Sequence, residues 1–213
     1  MKLKVCGMRS LENIRNLAKI NPEYMGFIFW KHSKRFVSNS TPDLGEGIKK
    51  VGVFVNASSE YIKKCIKDHK LKAVQLHGNE SPKKCDELKK IDVEVIKAFA
   101  IKNKFDFSEL ENYESVCDYF LFDTEGLLPG GNGLHFDWTV LKNYTCEKPF
   151  FLSGGIGPDD SLAIASIIKL NLPLYAIDVN SKFEIEPGLK NIDTIKEFKS
   201  KRSALLREVW LLS

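Results

Sequence analysis

A cysteine and an aspartate are the side chains of this 213-residue chain whose types and positions best suit acid–base chemistry. Cys6 ends the apolar stretch LKVC, and Asp123 ends the apolar stretch YFLFD. A thiolate can accept a proton and a carboxylic acid can donate one, so the two could act as general base and general acid. Either residue alone has a simpler explanation, because a single cysteine is usually a small buried apolar residue and an aspartate often caps a turn. Two such groups, each at the end of an apolar run, are a more specific signal.

A second candidate feature is a glycine-rich turn in the stretch FLSGGIGPDD, residues 151–160. Gly154 and Gly155 would let the backbone approach an anion, and a helix starting near Pro158 would point its first N–H groups at that anion. The next apolar run ends in DVNS, which adds Asp178, Asn180 and Ser181 as polar candidates. The pattern predicts a phosphate site, although the two glycines could also simply turn a corner.

Arg35 and His77 are candidates for holding the rest of a substrate. A guanidinium grips a carboxylate through two hydrogen bonds, so Arg35 could bind a substrate carboxylate, or it could be an ordinary surface charge. His77 could be a metal ligand, a proton carrier or a spacer. No second histidine or carboxylate lies at metal-ligand spacing from it, so we expect no metal site.

Eight short apolar runs alternate with segments of helical periodicity, which predicts parallel βα units. Eight units favour a single (β/α)8 barrel, the TIM barrel, over a flavodoxin-like or Rossmann sheet, and no G-x-G-x-x-G motif follows the first run. In such barrels the active site lies at the C-terminal ends of the strands, where every candidate above falls. The runs are 3–6, 24–30, 51–55, 73–77, 93–99, 119–123, 150–153 and 174–178, and the helical segments are 10–20, 59–69, 81–91, 157–170 and 191–198.

One βα unit looks incomplete. The segment 30–50 contains Pro42, Gly45 and Gly47 and shows little helical period, so we expect the second helix to be missing or reduced to a turn. The loop 124–138 is long and glycine-rich, which is typical of a lid over an active site. No composition break divides the chain, and we expect a barrel over 1–198 with a helical C-terminal extension over 199–213.

Composition excludes several classes of function. The net charge is +4, from 32 basic and 28 acidic residues, and the lysines are scattered, so we expect no nucleic-acid partner. No apolar run approaches the ~18 residues of a membrane span. The five cysteines include no C-x-x-C pair and no signal peptide is evident, so we expect a cytoplasmic protein.

The ordered set of motifs resembles the phosphoribosylanthranilate isomerase family of tryptophan biosynthesis over nearly the whole chain. The matching stretches are KVCGMR, GFIF, SKRFVS, VGVFVN, VQLHGNE, IKAF, LFDT, GGNGLHFDW, LSGGIGPDD, DVNSKFE and EPGLKN. The resemblance implies an Amadori rearrangement of N-(5-phosphoribosyl)anthranilate to 1-(2-carboxyphenylamino)-1-deoxy-D-ribulose 5-phosphate. It also implies that no cofactor or metal takes part.

The resemblance assigns roles to individual residues. Cys6 matches the general base and Asp123 the general acid. Arg35 matches the arginine that holds the anthranilate end of the substrate. The phosphate would lie on the backbone of the last two loops, at Gly154, Gly155, Asn180 and Ser181. We expect a small-molecule substrate and a monomer rather than a homodimer. The main alternative is a non-catalytic barrel that binds a phosphorylated metabolite, which would have no need for both Cys6 and Asp123.

Overall fold

Eight parallel strands close into a barrel in the computed structural model, which describes residues 1–102, 104–124 and 136–211, with side chains described through residue 202. The ring closes where the first strand pairs with the eighth, with Lys4 opposite Asp178. The predicted (β/α)8 class is therefore confirmed. The strands are β1 (Lys2–Val5), β2 (Tyr24–Ile28), β3 (Lys49–Phe54), β4 (Ala73–Leu76), β5 (Glu94–Ile101), β6 (Tyr119–Thr124), β7 (Phe150–Leu152) and β8 (Leu174–Val179).

Side chains alternate between the barrel interior and the outer layer, as the two-residue period of a strand requires. A small inner cluster fills the barrel, and a larger outer cluster lies between strands and helices. On β1, Leu3 and Val5 belong to the outer cluster, so Lys4 and Cys6 face inward. The inner cluster consists of Tyr24, Val51, Ala73, Ile96, Ala98, Leu121, Phe151 and Ala176.

Five α-helices lie along the described chain. Two of them start as their sequences predict, because Ser58 and Ser81 each accept a hydrogen bond from a first-turn backbone N–H. After β5 and β6 the covering elements are 3-10 helical segments, Phe107–Tyr113 and Trp138–Asn143. The helices are α1 (Leu11–Ala18), α2 (Ser59–His69), α3 (Pro82–Lys89), α4 (Ser161–Ile168) and α5 (Ile192–Leu211).

The segment between β2 and β3 contains turns and no helix over its fully described residues 29–48. An isolated parallel bridge between Ile28 and Phe36 folds the start of this segment back along β2. Val37 donates its backbone N–H to Ile28, which fixes the same return. The predicted loss of the second helix is confirmed, and its consequence is that Arg35 comes back to the barrel mouth.

Two features differ from the simple sequence pattern. Helix α4 begins at Ser161 rather than at 157, because the Asp160 carboxylate accepts the Gly157 backbone N–H at 2.6 Å and holds a turn ahead of the helix. After β8 the chain adds a small hairpin, β9 (Glu184–Glu186) with β10 (Leu189–Lys190).

The end of the chain bears on the predicted extension. Helix α5 is continuous across residue 198, so a division of the chain at that residue remains a prediction. Within the described chain, no helix has the length and apolar character needed to cross a membrane.

Candidate active site

A cavity of about 300 Å³ opens at the C-terminal ends of the barrel strands. All nine residues proposed from sequence line it, although they lie up to 175 positions apart in the chain. The structure therefore brings the whole predicted set together at one place. They are Cys6, Arg35, His77, Asp123, Gly154, Gly155, Asp178, Asn180 and Ser181.

Cys6 lies directly after β1 with its side chain directed into the barrel. Its backbone N–H donates to Val179 at 2.9 Å, which extends the β1–β8 pairing by one residue and makes the position rigid. Room for the sulfur comes from Gly26, since a Cβ at that residue would lie 2.8 Å from Cys6 Sγ. Burial raises the pKa of the Cys6 thiol, and the nearby ammonium groups of Lys4 and Lys190 oppose the rise.

A buried ion pair lies beside the thiol. Lys4 Nζ donates to Asp178 Oδ2 at 2.7 Å, and the two side chains are 0% and 4% exposed. The second carboxylate oxygen, Asp178 Oδ1, is buried and has no hydrogen-bond partner among the described residues. Burial raises the pKa of Asp178, the Lys4 charge opposes this, and Asp123 adds to it. An unpartnered acceptor in a cavity wall can accept a hydrogen bond from a bound molecule.

Asp123, at the end of β6, is held by contacts on both oxygens. Oδ1 accepts the backbone N–H of Thr124 at 2.9 Å, and Oδ2 lies 3.1 Å from His77 Nε2. Gln75 approaches the other ring nitrogen of His77, with Nε2 2.8 Å from Nδ1. Gln75 on β4 thus fixes the imidazole of His77, and the imidazole fixes the carboxyl group of Asp123.

Arg35 reaches the cavity from the segment that replaces the second helix, and Glu184 holds it there. Its Nε and Nη2 donate to the two Glu184 oxygens at 2.8 and 2.6 Å. Burial alone would raise the pKa of Glu184, but hydrogen bonds from Arg35 and the charge of Lys190 outweigh this and hold it below its ordinary value. This pair uses Nε and Nη2 of Arg35, and the Arg35 side chain also lines the cavity.

Lys190 connects this ion pair to Asn180. Its ammonium donates to Glu184 Oε1 at 2.6 Å and to Asn180 Oδ1 at 2.7 Å, and it is fully buried. Because Oδ1 of Asn180 is occupied, its amide N–H groups are the ones left for a ligand. Gly7, with φ +78°, lets these groups meet, since a Cβ there would lie 2.6 Å from Asn180 Oδ1 and 2.7 Å from Arg35 Cδ.

The glycine pair after β7 forms a tight turn against β6. Gly154 has φ +93° and Gly155 has φ +66°, a conformation that favours glycine. A Cβ on Gly154 would lie 2.2 Å from Thr124 Oγ1, so the turn also needs glycine for space. The backbone of this loop lies at the cavity wall, where its N–H groups can meet an anion.

The cavity also has an apolar wall. Side chains from β2, β3 and the last loops contribute Ile28, Trp30, Val53, Val55, Ile156 and Pro187. Such a wall suits an aromatic ring whose polar substituent reaches the charged groups at its edge. Over the described ranges, no group of three or more His, Cys, Asp or Glu side chains is placed to hold a metal ion.

Comparisons with known proteins agree with this geometry. The family described as N-(5'phosphoribosyl)anthranilate (PRA) isomerase matches residues 3–201. The N-(5'-phosphoribosyl)anthranilate isomerase of Parabacteroides distasonis is 48% identical over 205 residues, covering 93% of this chain and 91% of that protein. This chain belongs to the N-(5'-phosphoribosyl)anthranilate isomerase family. The family, fold and isomerase class predicted from the sequence are thereby confirmed.

Two solved structures of phosphoribosylanthranilate isomerases resemble the barrel over its full length. One is of monomers generated from the dimeric Thermotoga maritima enzyme, and the other is a complex with reduced 1-(o-carboxyphenylamino)-1-deoxyribulose 5-phosphate. Each is 28% identical with a TM-score of 0.77, and each match covers 96% of this chain and 99% of the other.

Sequence reasoning assigned no role to four polar residues of this isomerase-family site: Lys4, Gln75, Glu184 and Lys190. For Lys4 a signal existed, because it lies two residues before Cys6 in an apolar strand and must share its inward face. Gln75 likewise lies two residues before His77, so the two side chains must share an inward face. Glu184 and Lys190 lie in matched motifs, but nothing in the spacing indicates that their hairpin folds back onto Arg35. The glycine-rich loop proposed as a lid falls largely at 125–135, outside the described residues.

Proposed function

We propose that this cavity carries out the family's Amadori rearrangement, with Cys6 as general base and Asp123 as general acid. The observation that carries the proposal is that a thiol and a carboxyl group, each on a rigid strand end, line one cavity beside a glycine turn suited to phosphate. The substrate is N-(5'-phosphoribosyl)anthranilate, and the product is the corresponding 1-(2-carboxyphenylamino)-1-deoxyribulose 5-phosphate. The relative that is solved with the reduced form of this product supports the assignment.

The first step opens the ribose ring. Asp123 gives its proton to the ring oxygen as the C1–O bond breaks, and the anilino nitrogen lone pair forms a C1=N double bond. The iminium carries the positive charge, and Asp123 becomes a carboxylate. Its fixed position against His77 and the Thr124 N–H means that little reorganisation is needed when that charge develops.

The second step moves the C2 proton. The iminium acidifies C2–H, and the Cys6 thiolate takes this proton while the electron pair flows through C1 to nitrogen and gives an enolamine. The ketone then forms as C1 takes up the proton held by Cys6 and the C2 hydroxyl gives its proton to the Asp123 carboxylate, which returns both groups to their starting protonation states. The two groups must start in opposite protonation states, which their different surroundings can impose.

Binding groups follow from the same cavity. Arg35 is suited to the anthranilate carboxylate, and the apolar wall at Trp30 and Ile156 to its ring. The backbone at Gly154 and Gly155, with Asn180 and Ser181, is suited to the phosphate. The unpartnered Asp178 Oδ1 is suited to a ribose hydroxyl, which would supply the donor that it lacks.

Two further assignments belong to the proposal. We place the enzyme in the cytoplasm, as expected from its sequence. We also expect a monomer, because the apolar side chains of the first half of α5, Ile195 and Phe198, are buried against their own barrel. A relative from Thermotoga maritima is dimeric, so the state should be measured. Light scattering at 24.2 kDa would support the monomer, and twice that mass would contradict it.

The activity itself is tested by fluorescence. Phosphoribosylanthranilate is generated in the cuvette from anthranilate and phosphoribosyl pyrophosphate, and purified protein is added. We expect substrate fluorescence to decay in proportion to enzyme concentration. A folded protein that leaves the signal unchanged would contradict the isomerase and would favour a non-catalytic barrel that binds phosphorylated metabolites.

A further inference from the structure

A buried lysine shares the inward face of β1 with the proposed catalytic thiol. Lys4 and Cys6 are two residues apart on a strand whose alternate side chains, Leu3 and Val5, face the outer layer. Lys4 is fully buried, and its charge opposes the rise in the pKa of the Cys6 thiol that burial causes. A lysine buried to this extent is rare unless it is paired, and it has no route to solvent. Lys4 therefore brings a buried positive charge to the strand that carries the proposed base.

We propose that Lys4 is a positioning residue that stabilises the thiolate form of Cys6 and thereby sets the pH range in which Cys6 can accept a proton. The inference rests on the proposed role of Cys6 as base and goes beyond it by naming the group that holds the thiolate. Asp178 has a supporting part, because its contact at 2.7 Å keeps the Lys4 ammonium charged inside the barrel.

The charges around Lys4 and Asp178 agree with this arrangement. Burial alone would lower the pKa of Lys4, but the charges of Asp178 and of Cys6 as thiolate outweigh burial and raise it. Lys4 is thus an ammonium that can face a thiolate. Across the barrel, Asp178 is also influenced by Asp123 from β6 and by His77, which directly follows β4.

Two other cations lie near Cys6, and both are bound by Glu184. Lys190 from β10 lowers the pKa of Cys6 less than Lys4 does, and its ammonium is bound to Glu184 and Asn180. Arg35 lines the same cavity as Cys6, but its Nε and Nη2 are held by Glu184. Asp178 acts in the opposite direction and raises the pKa of Cys6. Of the cations on the described elements, Lys4 most strongly opposes the rise in the Cys6 pKa that burial causes.

The test is the pH dependence of Cys6 alkylation by iodoacetamide in the free protein, followed by mass spectrometry of the Cys6 peptide. Lys4→Met removes the charge and keeps a side chain of similar length. We expect the apparent pKa of Cys6 to rise, with alkylation at a fixed pH below that pKa slowed about tenfold for each unit of rise. An unchanged or lowered pKa in a folded Lys4→Met protein would overturn the proposal.

A matched control uses a second buried lysine. Lys97 on β5 is paired with Glu80 at 3.2 Å, both side chains are almost fully buried, and neither lines the cavity. Lys97→Met therefore loses the same kind of buried pair, and we expect it to leave the pH dependence of Cys6 alkylation unchanged. A rise as large as that of Lys4→Met would show a general structural effect and overturn the proposal.

A second variant covers a failure of Lys4→Met to fold. Lys4→Met/Asp178→Asn removes both charges, so that no buried carboxylate is left unpaired. Because Lys4 influences Cys6 more strongly than Asp178 does, we expect the Cys6 pKa still to lie above that of the wild type, and a fall below it would overturn the proposal. Alkylation needs no substrate. An active enzyme with unshifted Cys6 chemistry would reject the role of Lys4 alone, whereas an active Cys6→Ser variant would reject the role of Cys6.

Discussion

His77 Nε2 lies 3.1 Å from Asp123 Oδ2, and the two side chains close one side of the cavity from β4 and β6. The contact joins a residue that the sequence suggested for binding to the residue that it suggested for proton donation. It means that the proposed acid does not stand alone. The His77 imidazole aligns Oδ2 of Asp123, and Gln75 contacts the other ring nitrogen of His77.

His77→Gln should therefore reduce kcat far more than it changes KM. Loss of the imidazole would let the Asp123 carboxyl group shift, and small displacements of a catalytic group can slow a reaction by about 10²-fold. Steady-state kinetics on the variant would measure this. His69→Gln is the control, because His69 is half-buried on α2, contacts Thr41 and does not line the cavity. Equal kcat values for the two variants would contradict the positioning of Asp123 by His77.

The rate should fall at both ends of the pH range. Burial raises the pKa of Cys6, so at neutral pH most of the thiol is protonated and only the minor thiolate fraction can take the C2 proton. As pH rises toward that pKa the thiolate fraction grows, but the general acid must still carry its proton, so kcat/KM should decline at both the acid and the alkaline end of a bell-shaped profile. A pH–rate profile with the substrate generated in place measures this. A kcat/KM that shows no decline at the acid end would contradict a thiolate base, and one that shows no decline at the alkaline end would contradict a protonated acid.

Glu184→Gln should weaken both binding and stability. The change removes the carboxylate that orients Arg35 and leaves the ammonium of Lys190, which is fully buried, without its anionic partner. Breaking a buried pair in this way costs about 3–5 kcal/mol in the free energy of unfolding. Urea denaturation and KM measurements together test it, and we expect KM to rise because Arg35 loses its fixed orientation.

Glu87→Gln is the matched control for this change. Glu87 pairs with Lys63 at 2.8 Å, but both side chains are more than two-fifths exposed, so solvent screens the pair and its loss should change the free energy of unfolding little. Similar unfolding free energies for the two variants would contradict the buried network of Arg35, Glu184 and Lys190.

Gly154→Ala should disturb the turn that is proposed to hold the phosphate. Beyond the cost of a left-handed backbone, the new methyl group would collide with Thr124 Oγ1 at 2.2 Å, and overpacking of this kind costs about 1–3 kcal/mol. Gly45→Ala shares the positive φ, +72°, but has no atom within 4 Å of the added carbon. We expect KM to rise for Gly154→Ala alone. Unaltered KM and stability for that variant would contradict a tightly packed turn.

Much of the barrel could be predicted because its pattern is local. Each strand is buried on both faces, so it appears as an apolar run, and Pro42 with the nearby glycines indicated the missing second helix. Because the active sites of such barrels lie at the C-terminal ends of the strands, Cys6, Asp123 and His77 could be predicted to share one end of the barrel before any contact between them was known.

The ion pairs around these residues could not be predicted from the sequence in the same way. Lys4 pairs with Asp178 across 174 positions, and Arg35 pairs with Glu184 across 149. Such pairs are set by the closure of the barrel between β1 and β8 and by the β9–β10 hairpin, neither of which leaves a periodic signal. The start of α4 was misplaced for a related reason, since the Asp160 side chain competes with helix formation ahead of Ser161.

The most direct test of the central claim compares Cys6→Ser and Asp123→Asn with the wild type in the fluorescence assay. Cys65→Ser serves as control, because Cys65 is a buried cysteine of α2 outside the cavity. We expect both cavity variants to lose at least about 10²-fold in kcat, the scale of a positioned acid or base, while Cys65→Ser retains activity. Near wild-type kcat in folded Cys6→Ser or Asp123→Asn would contradict the assignment of that residue as base or acid.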